Sequence, residues 1–246
     1  MTRPLNRTLC LLLLGSIGCK AADPPTCEEG EDTACFRGVF RTLIGAPIEG
    51  FEVCAPDLPE IDCTTTDEDG GWKLPGLPRD TDVIITAAHP DYVPSLFAQN
   101  TGMSWYEWYK VGIPTNIADS NAGRLDTEND PTRGHMLFLA WEGLNIDGED
   151  TDAVPGVTLE TAGGGRVFYG NALQLADPDR TETSSSGSGG VLNVPPGEME
   201  VRLRAPAGRC AHEPMFHPTV GDAGWIPVPV RAGWTTAIDV MCPVDR

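Results

Sequence analysis

The chain has 246 residues, 40% of them hydrophobic, enough for one large or two small domains. Its 17 Lys and Arg stand against 36 Asp and Glu, a net charge of −19. That balance excludes nucleic acid as a partner, since such binding needs clustered cations to neutralise phosphates, and it opposes adsorption to anionic lipid heads.

At the N-terminus, Arg3 and Arg7 flank a short polar opening, Leu9–Leu14 runs apolar, and Gly15-Ser16-Ile17-Gly18 leads into Cys19. The apolar run is far shorter than the about 20 residues that span a bilayer. It fits the apolar region of a secretory signal peptide behind a positive n-region. These residues resemble the lipobox of bacterial lipoproteins, with Ser16 standing where that family usually has leucine. The resemblance implies a signal peptide over 1–18, acylation of Cys19 and a palmitate-type anchor of more than one chain, which holds stably. The membrane is then a partner through the lipid, and Lys20, in place of the aspartate that retains lipoproteins at the inner membrane, points to the outer one. An ordinary signal peptide cut near Ala21-Ala22, leaving a soluble exported protein, is the alternative. The following stretch, 19–35, is rich in Pro, Glu and Asp and predicts a flexible tether.

Besides Cys10 in the leader and Cys19, six cysteines remain: Cys27, Cys35, Cys54, Cys63, Cys210 and Cys242. An even number in an exported chain predicts disulfides. Proximity favours Cys27–Cys35, Cys54–Cys63 and Cys210–Cys242, although spacing alone does not choose among the fifteen pairings. A zinc site is the competing use, but no pair has C-x₂-C spacing and no histidine is interleaved.

Strand-like runs then recur at Phe36–Thr42, Ile48–Ala55, Gly71–Leu74 and Asp82–Ala87. Turn signals separate them, including Asp69-Gly70-Gly71 and Pro75-Gly76-Leu77-Pro78. A second series follows: Met136–Trp141, Gly156–Thr161, Arg166–Gly170, Gly190–Val194, Glu198–Arg204 and Thr235–Met241. No window holds an apolar stripe of helical period over eleven residues. The expectation is an all-β protein. Side by side, the series repeat: Ala46-Pro47-Ile48-Glu49-Gly50 beside Ala153-Val154-Pro155-Gly156-Val157, and Thr66–Gly70 beside Thr183–Gly187. Two tandem transthyretin-like or immunoglobulin-like β-sandwiches are predicted, over 36–112 and 133–246, joined by a polar linker over 113–132.

Gly38-Val39-Phe40, Gly45–Val53, Thr66–Pro78 and His89–Pro94 resemble the carboxypeptidase regulatory-like domain, a transthyretin-like sandwich. The resemblance covers 36–97 and is looser in the second copy, where serines replace the acidic turn. It implies an accessory or adhesive module that supplies no catalytic residue, with Trp72 and Leu77 filling the core.

Four features are candidate sites. Asp147, Glu149, Asp150 and Asp152 alternate in an acidic loop that could hold calcium, although a solvated inter-strand loop is the preferred explanation. Asp67-Glu68-Asp69-Gly70 is explained by turn chemistry. Trp105, Tyr106, Trp108 and Tyr109 put aromatic side chains on both faces of a strand, as a ligand-stacking platform or as packing. His212-Glu213-Pro214-Met215-Phe216-His217 misses the HExxH zinc motif by one residue, and Pro214 opposes its helix. Gly163–Gly165 and Ser184–Gly190 read as a hairpin turn and a flexible loop. No cofactor is expected.

The reading is a non-enzymatic, membrane-anchored envelope lipoprotein whose sandwiches bind a polysaccharide or an envelope protein. The alternatives are a metal-dependent enzyme of the intradiol-dioxygenase-like sandwich type, using Tyr and His on iron, and a purely structural envelope component.

Overall fold

The computed structural model describes residues 26–28, 30, 32–42, 45–102, 107–142, 152–210 and 224–244. Cys19 and the leader lie outside them. The architecture is all-β. The first half supplies β1 (Thr33–Arg41), β2 (Glu52–Cys54), β3 (Thr64–Thr65), β4 (Gly71–Pro78), β5 (Asp82–His89), β6 (Tyr92–Asn100) and β7 (Glu107–Val111). A ten-residue helix, α1 (Thr115–Arg124), follows. The second half supplies β8 (Gly134–Trp141), β9 (Thr158–Thr161), β10 (Arg166–Gly170), β11 (Ala176–Asp177), β12 (Ser188–Val194), β13 (Gly197–Ala205), β14 (Gly208–Arg209), β15 (Ile226–Val230) and β16 (Thr235–Met241).

The halves share one wiring. In the first, β1 pairs antiparallel with β4 and parallel with β7, while β5 pairs antiparallel with β2 and β6. In the second, β8 pairs antiparallel with β12 and parallel with β16, while β13 pairs antiparallel with β9 and β15. The equivalence reaches single atoms. Thr66 donates its Oγ1 hydrogen to the Ile48 carbonyl at 2.8 Å and accepts from the Phe51 amide at 2.9 Å. Thr183 repeats both bonds, to Val154 and from Val157, each at 2.9 Å. Both threonines are buried, so each satisfies backbone groups that would otherwise be stranded in the core. The sequence repeat is real, with its register corrected: Ile48 matches Val154, and Gly50 matches Gly156.

Each copy has its own core. Phe36, Phe40, Phe51, Trp72, Leu74, Leu77 and Ile85 fill the first, with the Phe40 and Phe51 rings stacked at 4.3 Å. Met136, Phe138, Val191, Met199, Leu203 and Ile238 fill the second. The copies are then welded edge to edge. β16 pairs with β8 along Thr235–Met241 and, on its other side, with β6 at Thr235↔Ser95 and Thr236↔Leu96. The result is a nine-stranded sheet in the order β11-β10-β12-β8-β16-β6-β5-β2-β3. Half of each sandwich belongs to this one sheet.

Several elements differ from the sequence reading. β1 begins at Thr33, and Ala34 and Cys35 are buried, so the end of the expected tether is core strand. Pro75-Gly76-Leu77-Pro78 is not a turn but the second half of β4. Gly76 at φ 82° and a register shift between Ala34 and Cys35 form a bulge that bends the strand and lets it continue. β15 reads Ile-Pro-Val-Pro-Val, and its prolines hide a strand from propensity rules. The Ser184–Gly190 run is an ordered turn running into β12: the Ser184, Ser186 and Ser188 hydroxyls form a chain of 3.0 and 2.7 Å links, with Ser184 donating to the Gly170 carbonyl. The Gly163–Gly165 turn carries the chain from β9 in one sheet to β10 in the other rather than closing a hairpin. α1 occupies the expected linker and seats Ala122 and Leu125 on Phe168, Ala176 and Leu192. Among the described residues, no helix is long and apolar enough to cross a membrane.

Candidate functional site

The six exported-side cysteines pair as Cys27–Cys35, Cys54–Cys63 and Cys210–Cys242, the set that proximity favours. Such bonds persist in oxidising compartments, on the outer side of a cytoplasmic membrane. Cys54 and Cys63 lie beside the Glu52 carboxylate, and this trio is the only metal-like group of His, Cys, Asp or Glu among the described residues. Its sulfurs are bonded to each other and offer no thiolate, so it is not a metal donor set.

The expected candidates distribute unevenly. Asp147, Glu149 and Asp150 fall outside the described residues; Asp152 is exposed, and its carbonyl accepts from the Glu142 amide at 2.9 Å. Trp105 and Tyr106 also fall outside. Trp108 and Tyr109 stand on β7, in register with Gly38 and Val39 of β1. The Asp67 carboxylate is occupied by the Asp69 and Gly71 amides at 3.0 and 2.7 Å, the turn chemistry expected of it.

His89, His135, Tyr92 and Tyr169 serve packing and hydrogen bonding. His89 lies against the Phe51 and Tyr92 rings at 5.2 and 5.0 Å. The Tyr169 hydroxyl accepts from the Leu159 amide at 2.9 Å. His135, buried on β8, accepts at Nδ1 from the Asn193 amide at 3.2 Å. Because that amide can only donate, Nδ1 is unprotonated, and Nε2 carries the hydrogen donated to Asn129 Oδ1 at 2.9 Å. A neutral ring satisfies both bonds, and burial pushes its pKa below the usual histidine value. Protons therefore bind the unfolded chain more readily than the native one, and stability falls as pH drops below about 6.5 towards the native pKa. Urea unfolding at pH 7.5 and at pH 5.5 should show wild type losing more stability between the two than His135→Gln. Equal losses would remove His135 from the acid response.

A groove with defined walls lies where the two copies meet. With a volume of about 260 Å³, it is lined by Asp57, Asp82, Val83, Ile84, Ala98, Glu198, Pro227 and Pro229. Its surfaces come from the β2–β3 loop, β5 and β6 of the first copy and from β13 and β15 of the second. No sequence signal marks it, because its residues are scattered between positions 57 and 229 and meet only through the shared sheet. A second cavity of about 30 Å³, beside His135 and α1, has room for about one water.

No protein-family model matches the chain, and no curated protein is significantly similar to it. Among solved structures, the TIE protein of Bacillus anthracis aligns at 11% identity and a TM-score of 0.27, over 86% of this chain and 34% of the other. A streptococcal ancillary pilin aligns at 11% identity and 0.24, over 88% of this chain and 64% of the pilin. The shaft pilin spaA of Lactobacillus rhamnosus GG aligns at 10% identity and 0.24, over 87% and 98%. The chain thus spans about a third of the first structure's length and under two thirds of the second's.

Proposed function

We propose that this is a non-enzymatic protein of the bacterial cell envelope, anchored by a lipid on Cys19, whose two sandwiches act as one rigid unit to contact an envelope polysaccharide or protein. The observation that carries the reading is the nine-stranded sheet shared by both copies, which ties two disulfide-bearing sandwiches into a single body. A rigid body on a tether suits presentation of a surface. His89, His135, Tyr92 and Tyr169 are engaged in packing and structural hydrogen bonds rather than gathered around a reacting centre.

Growth of the native host with an alkyne-tagged palmitate analogue tests the anchor. The wild-type protein should carry the tag and sediment with membranes, and Cys19→Ala should carry none. An untagged wild-type protein in the soluble fraction would overturn the anchor. Stoichiometric iron in the purified protein, with turnover of an aromatic diol, would overturn the non-enzymatic reading.

A further inference from the structure

We infer that the groove between the two sandwiches is a docking site for a basic, extended segment of a partner protein, with a lysine side chain laid along its floor.

The groove has two chemical characters. Val83, Ile84, Ala98, Pro227 and Pro229 give it an aliphatic surface, and Asp57, Asp82 and Glu198 supply carboxylates, with no lysine or arginine in the lining. Asp57 and Glu198 make no hydrogen bond or ion pair with described residues, and Asp82 accepts only from Asn100 Nδ2, at 2.7 Å. The nearest cations along β13 are already engaged: Arg202 and Arg204 share the Glu160 carboxylate of β9, with Arg204 Nε 3.3 Å from Oε1.

The wall formed by β15 adds an independent constraint. Pro229 and Pro227 stand opposite Glu198 and Glu200 in the β13–β15 ladder. A proline whose nitrogen faced β13 would leave a gap in that ladder, so both occupy positions whose backbone points away from it. β15 therefore presents no N–H donor at these two positions, and of their carbonyls that of Pro229 already accepts from Thr236 Oγ1, which leaves that of Pro227 as the acceptor on offer. Carboxylates and carbonyls are all acceptors, which selects an occupant rich in donors. Lysine matches: its four-carbon stem lies on aliphatic surface while its ammonium donates three hydrogen bonds. A volume of about 260 Å³ holds such a side chain with adjoining backbone, not a folded domain. The chain's net charge of −19 draws a basic partner from a distance as well.

This inference deepens the proposed function by naming the partner, and its failure would leave the Cys19 anchor untouched. The test uses the full-length anchored protein in detergent and a fluorescent peptide of alternating lysine and valine, read by anisotropy. Binding should weaken about tenfold or more in Asp57→Asn/Asp82→Asn/Glu198→Gln, and should weaken as salt rises from about 50 to about 300 mM. Glu128→Gln/Asp179→Asn/Glu182→Gln, three exposed acids elsewhere with the same change in net charge, should bind as wild type does. Equal weakening in the two triple variants would overturn the site, because binding would then follow overall charge. Equal affinity for an acetyl-lysine peptide would overturn it too, as would no binding. Free cadaverine binding as tightly as the peptide would overturn the protein segment as occupant. Circular dichroism of both variants should match wild type, which separates lost docking from lost fold.

Discussion

Replacing Gly70 or its counterpart Gly187 with alanine is expected to cost about 3 kcal/mol or more in each case, a large share of the 5–15 kcal/mol that holds an ordinary domain together. Both glycines adopt positive φ, 76° and 62°, which an alanine reaches only with strain. Strain is the smaller part. A Cβ on Gly70 would drive into the Phe40 carbonyl oxygen, and one on Gly187 would sit 2.5 Å from the Ala140 carbonyl oxygen. Neither neighbour can give way. Phe40 and Ala140 bond back through their amides to the Gly70 and Gly187 carbonyls at 2.9 Å, and their own carbonyls accept from the Ile48 and Val154 amides. Asparagine tolerates positive φ, yet it should not rescue either position, because it carries the same Cβ. At Gly164, with φ 78° and open space around it, asparagine should be accepted almost without loss. Urea unfolding of the five variants beside the wild type checks the set. A Gly70→Asn variant as stable as wild type would show that conformation, not the clash, makes glycine necessary.

Removing the Cys210–Cys242 disulfide should cost about 3–4 kcal/mol, since it closes a 32-residue separation and its loss frees that loop in the unfolded chain. Removing Cys54–Cys63, with a separation of nine, should cost about 1 kcal/mol less on loop length alone. The Cys210–Cys242 bond also sits in the second core and follows directly on β16, whose Cys242 amide donates to the Trp141 carbonyl at 2.8 Å. Paired Cys→Ala variants, unfolded with and without reductant, measure both effects. The wild type under reductant should approach the Cys210→Ala/Cys242→Ala protein and fall below it as the other bonds open. A Cys54→Ala/Cys63→Ala variant less stable than Cys210→Ala/Cys242→Ala would show that local packing, not chain entropy, sets the order.

Much of the scaffold was legible because local chemistry dictates it. Alternating strands such as Glu198–Arg204 put Met199, Val201 and Leu203 inward, as the period of two requires. Trp72 and Leu77, expected in the core, are buried there. The repeat showed at Thr66–Gly70 and Thr183–Gly187 because the same buried threonine and the same crowded glycine are needed twice. What stayed hidden depends on partners remote in sequence. The prolines of β15 and of the second half of β4 read as breakers until the bulge and the outward-facing ladder positions are known. α1 has too few apolar contacts to print a stripe. The groove is the extreme case: Asp57, Asp82 and Glu198 are ordinary surface acids in the sequence, and only the junction between copies brings them together.

The weld between the copies also fixes an order of events. β16 is the last of the described strands, and it lies between β6 and β8, strands synthesised some 140 and 100 residues earlier. As the chain is made N-terminus first, both edges stay unpaired until β16 arrives. Contact order is therefore high, closure is slow, and the waiting edges are open to mispairing with other chains. The first sandwich can complete its own core early, but the nine-stranded sheet is finished only by β16.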